Sequence, residues 1–346
     1  MKSSFAARVI AWQKTHGRHD LPWQGTRDAY RIWLSEVMLQ QTQVATVIPY
    51  YQRFVDRFPT VQALATAESD EVMSLWSGLG YYSRARHLHA CARAVVADHA
   101  GQFPATAAEL VELPGIGEST AAAIAAFAFG ARAAILDGNV KRVFARHFGV
   151  AGWPGATAVQ KALWAIAAAE LPERGIEPYT QGLMDLGATV CTRGRPACEA
   201  CPVSASCVAL KQNRIGELPS PRPARARPVR YASLALLLDG ERVLLEQRAA
   251  TGIWGGLSSL PEFEPELDEA GFAAAVAARY GLGVRSLRRL DDVVHDFSHY
   301  RFVMQPWFAR ITPGSLAEVK GRWLDLTDTG EAPLPAPVKR LLLALA

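Results

Sequence analysis

Cys191, Cys198, Cys201 and Cys207 fall within seventeen residues in the pattern C-x6-C-x2-C-x5-C. Four thiols this close together form a ligand set that packing alone rarely requires, so this segment must fold around a metal centre. The fifth cysteine, Cys91, lies in the Ala-rich stretch 89–96 and reads as a small buried thiol. Zinc sites commonly carry two C-x2-C pairs, whereas only Cys198 and Cys201 form one here. That makes zinc the weaker choice and leaves the identity of the metal open.

At 346 residues the chain exceeds one ordinary core and fits two domains with a connection. Nothing at the N-terminus resembles a signal peptide, since Arg8 interrupts the early apolar run. The most apolar stretch, 121–136, is short and contains Arg132. The expectation is a soluble cytoplasmic chain without membrane attachment, where thiols stay reduced and suit a metal better than a disulfide framework. The net charge is +4, but residues 211–230 hold six cations against Glu217 alone, so the rest of the chain sums to −1. Total charge therefore does not mark a nucleic-acid binder. The basic stretch also holds Pro219, Pro221, Pro223 and Pro228. It reads as a semi-extended linker that can lie along a polyanion or simply be solvated.

Hydrophobic periodicity divides the chain in two. Up to about residue 190, apolar residues recur at helical spacing over 5–16, 28–42, 44–57, 69–76, 83–98, 118–129, 139–148, 157–170 and 176–190, predicting an all-α half. Beyond the linker, 231–238 and 241–248 are short apolar runs joined by Asp239-Gly240, a hairpin signal. A further strand is expected over 300–311, with helices over 269–280 and 337–346. The second half is thus a small α/β domain.

Three local features carry chemistry. Leu113-Pro114-Gly115-Ile116-Gly117 separates two helices; its glycines let backbone N–H groups approach a phosphate at the next helix N-terminus, although such a turn can also be only a turn. Asp137 stands where it would N-cap the helix that follows. That is a stabilising cap, and also a way to keep a carboxylate ionised next to a developing cation. Glu36 lies mid-helix among Ile32, Trp33, Val37 and Leu39. Either it is exposed on a polar stripe with Gln40, or it is desolvated and raised into the range of a general acid. One protonated and one ionised carboxylate suit glycosidic-bond cleavage through an oxocarbenium-like transition state.

Five segments, Leu34 to Val44, Gly78 to Arg86, Leu113 to Gly117, Ile135 to Val143 and Met184 to Ala188, together with the cysteine spacing, resemble the helix-hairpin-helix DNA glycosylase superfamily. In detail they resemble its A/G-specific adenine DNA glycosylase (MutY) family, in that family's order and over nearly the whole chain. The resemblance implies a multidomain protein: an all-α catalytic region over 1–212, with a six-helix barrel at about 22–133 and an iron–sulfur lobe built from the N-terminal helix and about 134–212. A basic linker over 213–229 and a Nudix-like α/β lesion-recognition domain over 230–346 follow. It implies a [4Fe–4S] cluster on Cys191, Cys198, Cys201 and Cys207, with Arg193 and Arg195 in the first cysteine loop facing a DNA phosphate. It further implies a monomer that binds duplex DNA containing A:8-oxoG or A:G mispairs at the nucleoid and flips the adenine out. Glu36 would protonate adenine at N7, Asp137 would stabilise the sugar cation, and Asn139 would position groups near the site. Leu39, Gln41 and Tyr81 would wedge into the vacated stack, with Gly115 and Gly117 gripping phosphate. Endonuclease III-like enzymes carry a lysine two residues beyond the second hairpin glycine; here that residue is Ser119. The expectation is a monofunctional glycosylase, with Ser119 a polar site residue or simply a first-turn serine.

In the second half, Gly255-Gly256-Leu257 and Pro261-Glu262 stand where a Nudix pyrophosphatase motif would begin, but the helix that should carry glutamates for Mg²⁺ reads Ala273 to Gly281 without a carboxylate. Hydrolysis of nucleotides is therefore disfavoured and a binding role remains. Phe297-Ser298-His299 matches the family loop that inspects 8-oxoguanine. A non-catalytic iron–sulfur DNA-binding or redox protein would keep the cysteines and hairpin but has no need of Glu36 and Asp137.

Overall fold

The computed structural model describes residues 4–223, 226–249, 252–297, 299–312 and 321–345. They divide into two units, one of residues 1–67 and 87–224, the other of 68–86 and 225–346.

The first unit is helical: α1 (Phe5–His16), α2 (Ala29–Leu39), α3 (Val44–Arg57), α4 (Val61–Thr66), most of α6 (Ser83–Asp98), α7 (Ala107–Leu110), α8 (Glu118–Phe129), α9 (Gly138–Phe148), α10 (Thr157–Ala169), α11 (Ile176–Asp185) and α12 (Val208–Lys211); the short α5 (Ser69–Trp76) belongs to the second unit. Local chemistry sets the ends. Asp28 accepts from the amides of Tyr30 and Arg31 at the start of α2, and Gly130 and Gly149 close α8 and α9 in the left-handed region. Alanine packs α8 closely: Ala121 to Ala126 are buried. Val9, Ala123, Leu136, Phe144, Leu183 and Leu186 are core residues of one cluster that joins α1 to α8, α9 and α11. Asp185, fully buried, accepts from the backbone and guanidinium of Arg18 at 2.9 and 2.7 Å. The residues after α11 form a π-helical turn, Leu186–Val190, where the periodicity predicts continued α-helix to 190. The periodicity reading omits α4, α7 and α12, each too short to show a helical repeat.

In the second unit, β1 (Val229–Asp239), β2 (Arg242–Gln247), β3 (Ser258–Ser259), β4 (Glu262–Phe263), β5 (Val284–Arg289), β6 (Val293–Asp296), β7 (Arg301–Ile311) and β8 (Arg322–Asp325) form a mixed sheet with the path β3-β2-β1-β7-β5. The β1–β2 hairpin forms with Asp239 opposite Arg242 and Gly240 at φ +61°, and β1 pairs parallel to β7. Helix α13 (Glu269–Tyr280) lays Phe272 on Trp307 with ring centroids 5.2 Å apart, and α14 (Ala336–Leu343) ends the unit. Residues 68–86 are tied to it by Tyr82, whose hydroxyl donates to the Leu334 carbonyl at 3.3 Å, and by Ser74, which donates to that of Glu331. No helix among the described residues is long and apolar enough to cross a membrane.

Candidate active site

Helix α2 is buried on nearly every side: Ile32, Trp33, Leu34, Ser35, Val37 and Met38 are all core. Glu36 among them is half-buried, and its side chain lines a cavity of about 340 Å³ together with Leu39, Trp23, Gln24, Arg18, Gln181 and Met184. Burial, reinforced by the negative charge of Asp137, pushes the Glu36 carboxyl up to about 8. It is therefore protonated at neutral pH while facing a pocket with room for a nucleobase, as the desolvated alternative requires. The cavity residues Arg18, Trp23, Gln24 and Gln181 do not show in the sequence reading. Arg18 fastens the segment before α2 to α11 through Asp185, and Gln181 Nε2 donates to the same Asp185 Oδ1 at 2.9 Å.

Asp137 N-caps α9, accepting from the Val140 amide at 2.7 Å. Its carboxyl is not held low, contrary to the expectation from the cap. Burial pushes it upward, opposed by the amides of Val140 and Asn139 and by Arg142 and Lys141. The cap supplies N–H donors but sits where solvent is largely excluded, and desolvation is the larger effect. Asp137 does not line the Glu36 cavity, although its charge reaches Glu36. Ser119 accepts from the Leu136 amide at 2.9 Å, which pins the backbone one residue before Asp137. Asn139 Oδ1 accepts from Arg142 Nη2 at 2.8 Å, and the same guanidinium donates to the carbonyls of Gly187 and Cys191, each at 2.7 Å.

The hairpin glycines play different parts. Gly115 has φ +78°, and a Cβ there would lie 2.5 Å from the His87 Cβ; at Gly117 a Cβ would meet open space. No side chain caps α8, so its first amides stand behind an unobstructed glycine. Gln41 and Tyr81 are both exposed and both adopt the left-handed region, φ +60° and +48°. A residue with a Cβ holds such a backbone only where the surrounding structure imposes it.

In the second unit Tyr81, Phe297 and His299 line one aromatic cavity of about 400 Å³ with Tyr82, Trp254 and His295. Two segments more than two hundred residues apart in the chain therefore meet there. Trp254 is missed by the sequence reading, where it is hidden in a Gly-rich loop. Ser298 lies outside the described residues.

All four clustered cysteines line a single pocket with Val143, Leu186, Val190, Val203 and Ile215. The buried Arg146 directs Nη1 to the Cys191 sulfur at 3.5 Å. Among the described residues no three His, Cys, Asp or Glu side chains group closely enough for a single metal ion. Burial and the neighbouring sulfurs push the Cys198 thiol up and that of Cys201 to about 11. Four sulfur donors lining one pocket are a set that an iron–sulfur cluster takes.

The comparisons with known families give the class. The model of the HhH-GPD superfamily of base excision DNA repair proteins matches residues 34–169, and that of the NUDIX domain matches 233–344. A solved thermostable thymine-DNA glycosylase, 31% identical, superposes with a TM-score of 0.55 over 60% of this chain and 95% of its own. Adenine DNA glycosylase from Buchnera aphidicola (subsp. Schizaphis graminum) is 30% identical over 98% of this chain and 97% of its own, and human adenine DNA glycosylase is 34% identical over 98% and 73%. The chain belongs to the adenine DNA glycosylase family and is a base-excision repair enzyme.

Proposed function

We propose that this glycosylase excises adenine paired with 8-oxoguanine or guanine in duplex DNA, after flipping the adenine into the Glu36 cavity, and that it is monofunctional. The observation that carries this is Glu36 itself: an acid raised to about 8 on the wall of a base-sized cavity. In this reading Glu36 donates a proton to adenine N7, which turns the base into a neutral leaving group. Asp137, its anion supported by the Asn139 and Val140 amides and by Arg142 and Lys141, stabilises the cationic sugar. Glu36, now ionised, accepts a proton from the attacking water. Asn139 and Ser119 hold the Asp137 segment in place. Gly115 and Gly117 admit a phosphate to the α8 N-terminus, while Leu39, Gln41 and Tyr81 fill the stack that the base leaves.

The opposite base is read by Phe297 and His299, which line the aromatic cavity, and by Ser298, which lies between them in the sequence. Cys191, Cys198, Cys201 and Cys207 would hold a [4Fe–4S] cluster, whose chemistry when bound is to fold the lobe that presents Arg193 and Arg195 to DNA. The enzyme works as a monomer on nucleoid DNA in the cytoplasm, with the catalytic region over 1–212, the linker over 213–229 and the reading domain over 230–346. The test is adenine release from 8-oxoG:A and G:A duplexes. Wild type should release free adenine and Asp137→Asn should not, and borohydride should trap little enzyme on abasic DNA. Efficient trapping, or full activity in Asp137→Asn, overturns the reading.

A further inference from the structure

Gly252, Trp254 and Gly256 have φ of +87°, +54° and +76°, three left-handed residues within five. Glycine adopts this freely. A tryptophan does not, and it stays there only where the surroundings impose it. They do so here: Arg248 Nε donates to the Ile253 carbonyl at 3.0 Å, Arg86 donates to that of Gly255, and the Gly256 and Leu257 amides donate to the Ala249 and Trp254 carbonyls, each at 3.1 Å. Arg248 is itself anchored on Glu262, and its guanidinium lies 5.8 Å from the Trp254 ring centre.

A buried indole wanted only for core packing has no use for this backbone, because an extended or helical residue would bury it without strain. What the conformation achieves is direction. The ring, 8% exposed, lies beneath the cavity that holds Tyr81 and His299, with centroids 5.3 Å from Phe297 and 5.7 Å from His295. His295 lies on β6 and Phe297 follows its last residue, so the indole packs against the side chains at the end of that strand.

We propose that Trp254 is a positioning residue for recognition of the base opposite the adenine: its indole, carried on a turn whose backbone Arg86 and Arg248 hold, sets where Phe297 and His295 stand in the cavity. The inference rests on the reading of that cavity given above. Single-turnover adenine excision by the full-length enzyme on 8-oxoG:A and G:A duplexes, with thermal melting alongside, tests it in Trp254→Gly, Trp254→Phe, Phe297→Ala and His299→Ala. Glycine tolerates the left-handed backbone, so Trp254→Gly removes the ring and keeps the turn. It should melt cooperatively and lose about tenfold or more of the preference for 8-oxoG:A over G:A, and Trp254→Phe should recover part of it. A folded Trp254→Gly with wild-type preference, while Phe297→Ala loses it, overturns the positioning role and leaves the cavity's function standing. Unchanged preference in Phe297→Ala and His299→Ala as well overturns the reading of the cavity. If Trp254→Gly does not fold, Trp254→Phe decides: a reduced preference supports the role and an unchanged one overturns it.

Discussion

At the scale of single residues, two carboxylates of the same chemical type are set apart by what surrounds them. Glu36 has apolar neighbours and a nearby negative charge, both of which favour its proton. Asp137 has amides and cations that favour its anion against the effect of burial. Replacing Glu36 with Gln should lower excision by about 10²–10⁴-fold while leaving duplex affinity near wild type, as measured by single-turnover kinetics and fluorescence anisotropy. The wild-type rate should fall as pH rises through about 8, because the acid is then lost. Stability follows the same sign. Glu36 holds its proton more tightly folded than unfolded, so the folded state loses stability between the ordinary glutamate range and about 8. Denaturant melts should therefore show Glu36→Gln level with wild type in acid and more stable by up to about 5 kcal/mol above that range. That Glu36 is desolvated was one of two readings open from its apolar neighbours in sequence. The packing of α2 on nearly all sides decides for it.

At the scale of elements, the hairpin before α8 separates fold from contact. Gly115→Ala forces a Cβ into the left-handed region and against His87, so it should lower the melting temperature as well as DNA affinity. Gly117→Ala points its methyl into open space, so it should melt like wild type yet bind duplex more weakly. Equal melting and equal affinity in both variants would deny the hairpin its phosphate-gripping part. The turn was legible because proline and glycine punctuate a helical pattern, but the different duties of its two glycines were not, since the partner of Gly115 is His87 on another helix. The same limit applies to the sheet. The Asp239-Gly240 hairpin is local and was readable, whereas the parallel pairing of β1 with β7 joins strands separated in the chain by a helix and five other strands and leaves no periodic trace.

At the scale of the whole molecule, the cysteine pocket and the Glu36 cavity are lined by different residues, and Arg142 ties Asn139, two residues past Asp137, to the carbonyls of Gly187 and Cys191. Cys198→Ser should lose the visible absorbance of the purified enzyme and weaken duplex binding. Excision at saturating enzyme should change less than binding does, because the bond is broken elsewhere. A variant that keeps the absorbance would remove Cys198 from the ligand set. The sequence by itself determined the two periodicities, the four-thiol ligand set, the hairpin and the two carboxylates, because each is written in neighbouring residues or in a repeat of the chain. Only the tertiary structure decided that Arg18, Trp23, Gln24 and Gln181 share a cavity with Glu36, that burial opposes the cap at Asp137, and that Tyr81 meets Phe297 and Trp254 in one pocket. These depend on desolvation and on contacts between distant segments, which arise only when separate apolar faces pack together.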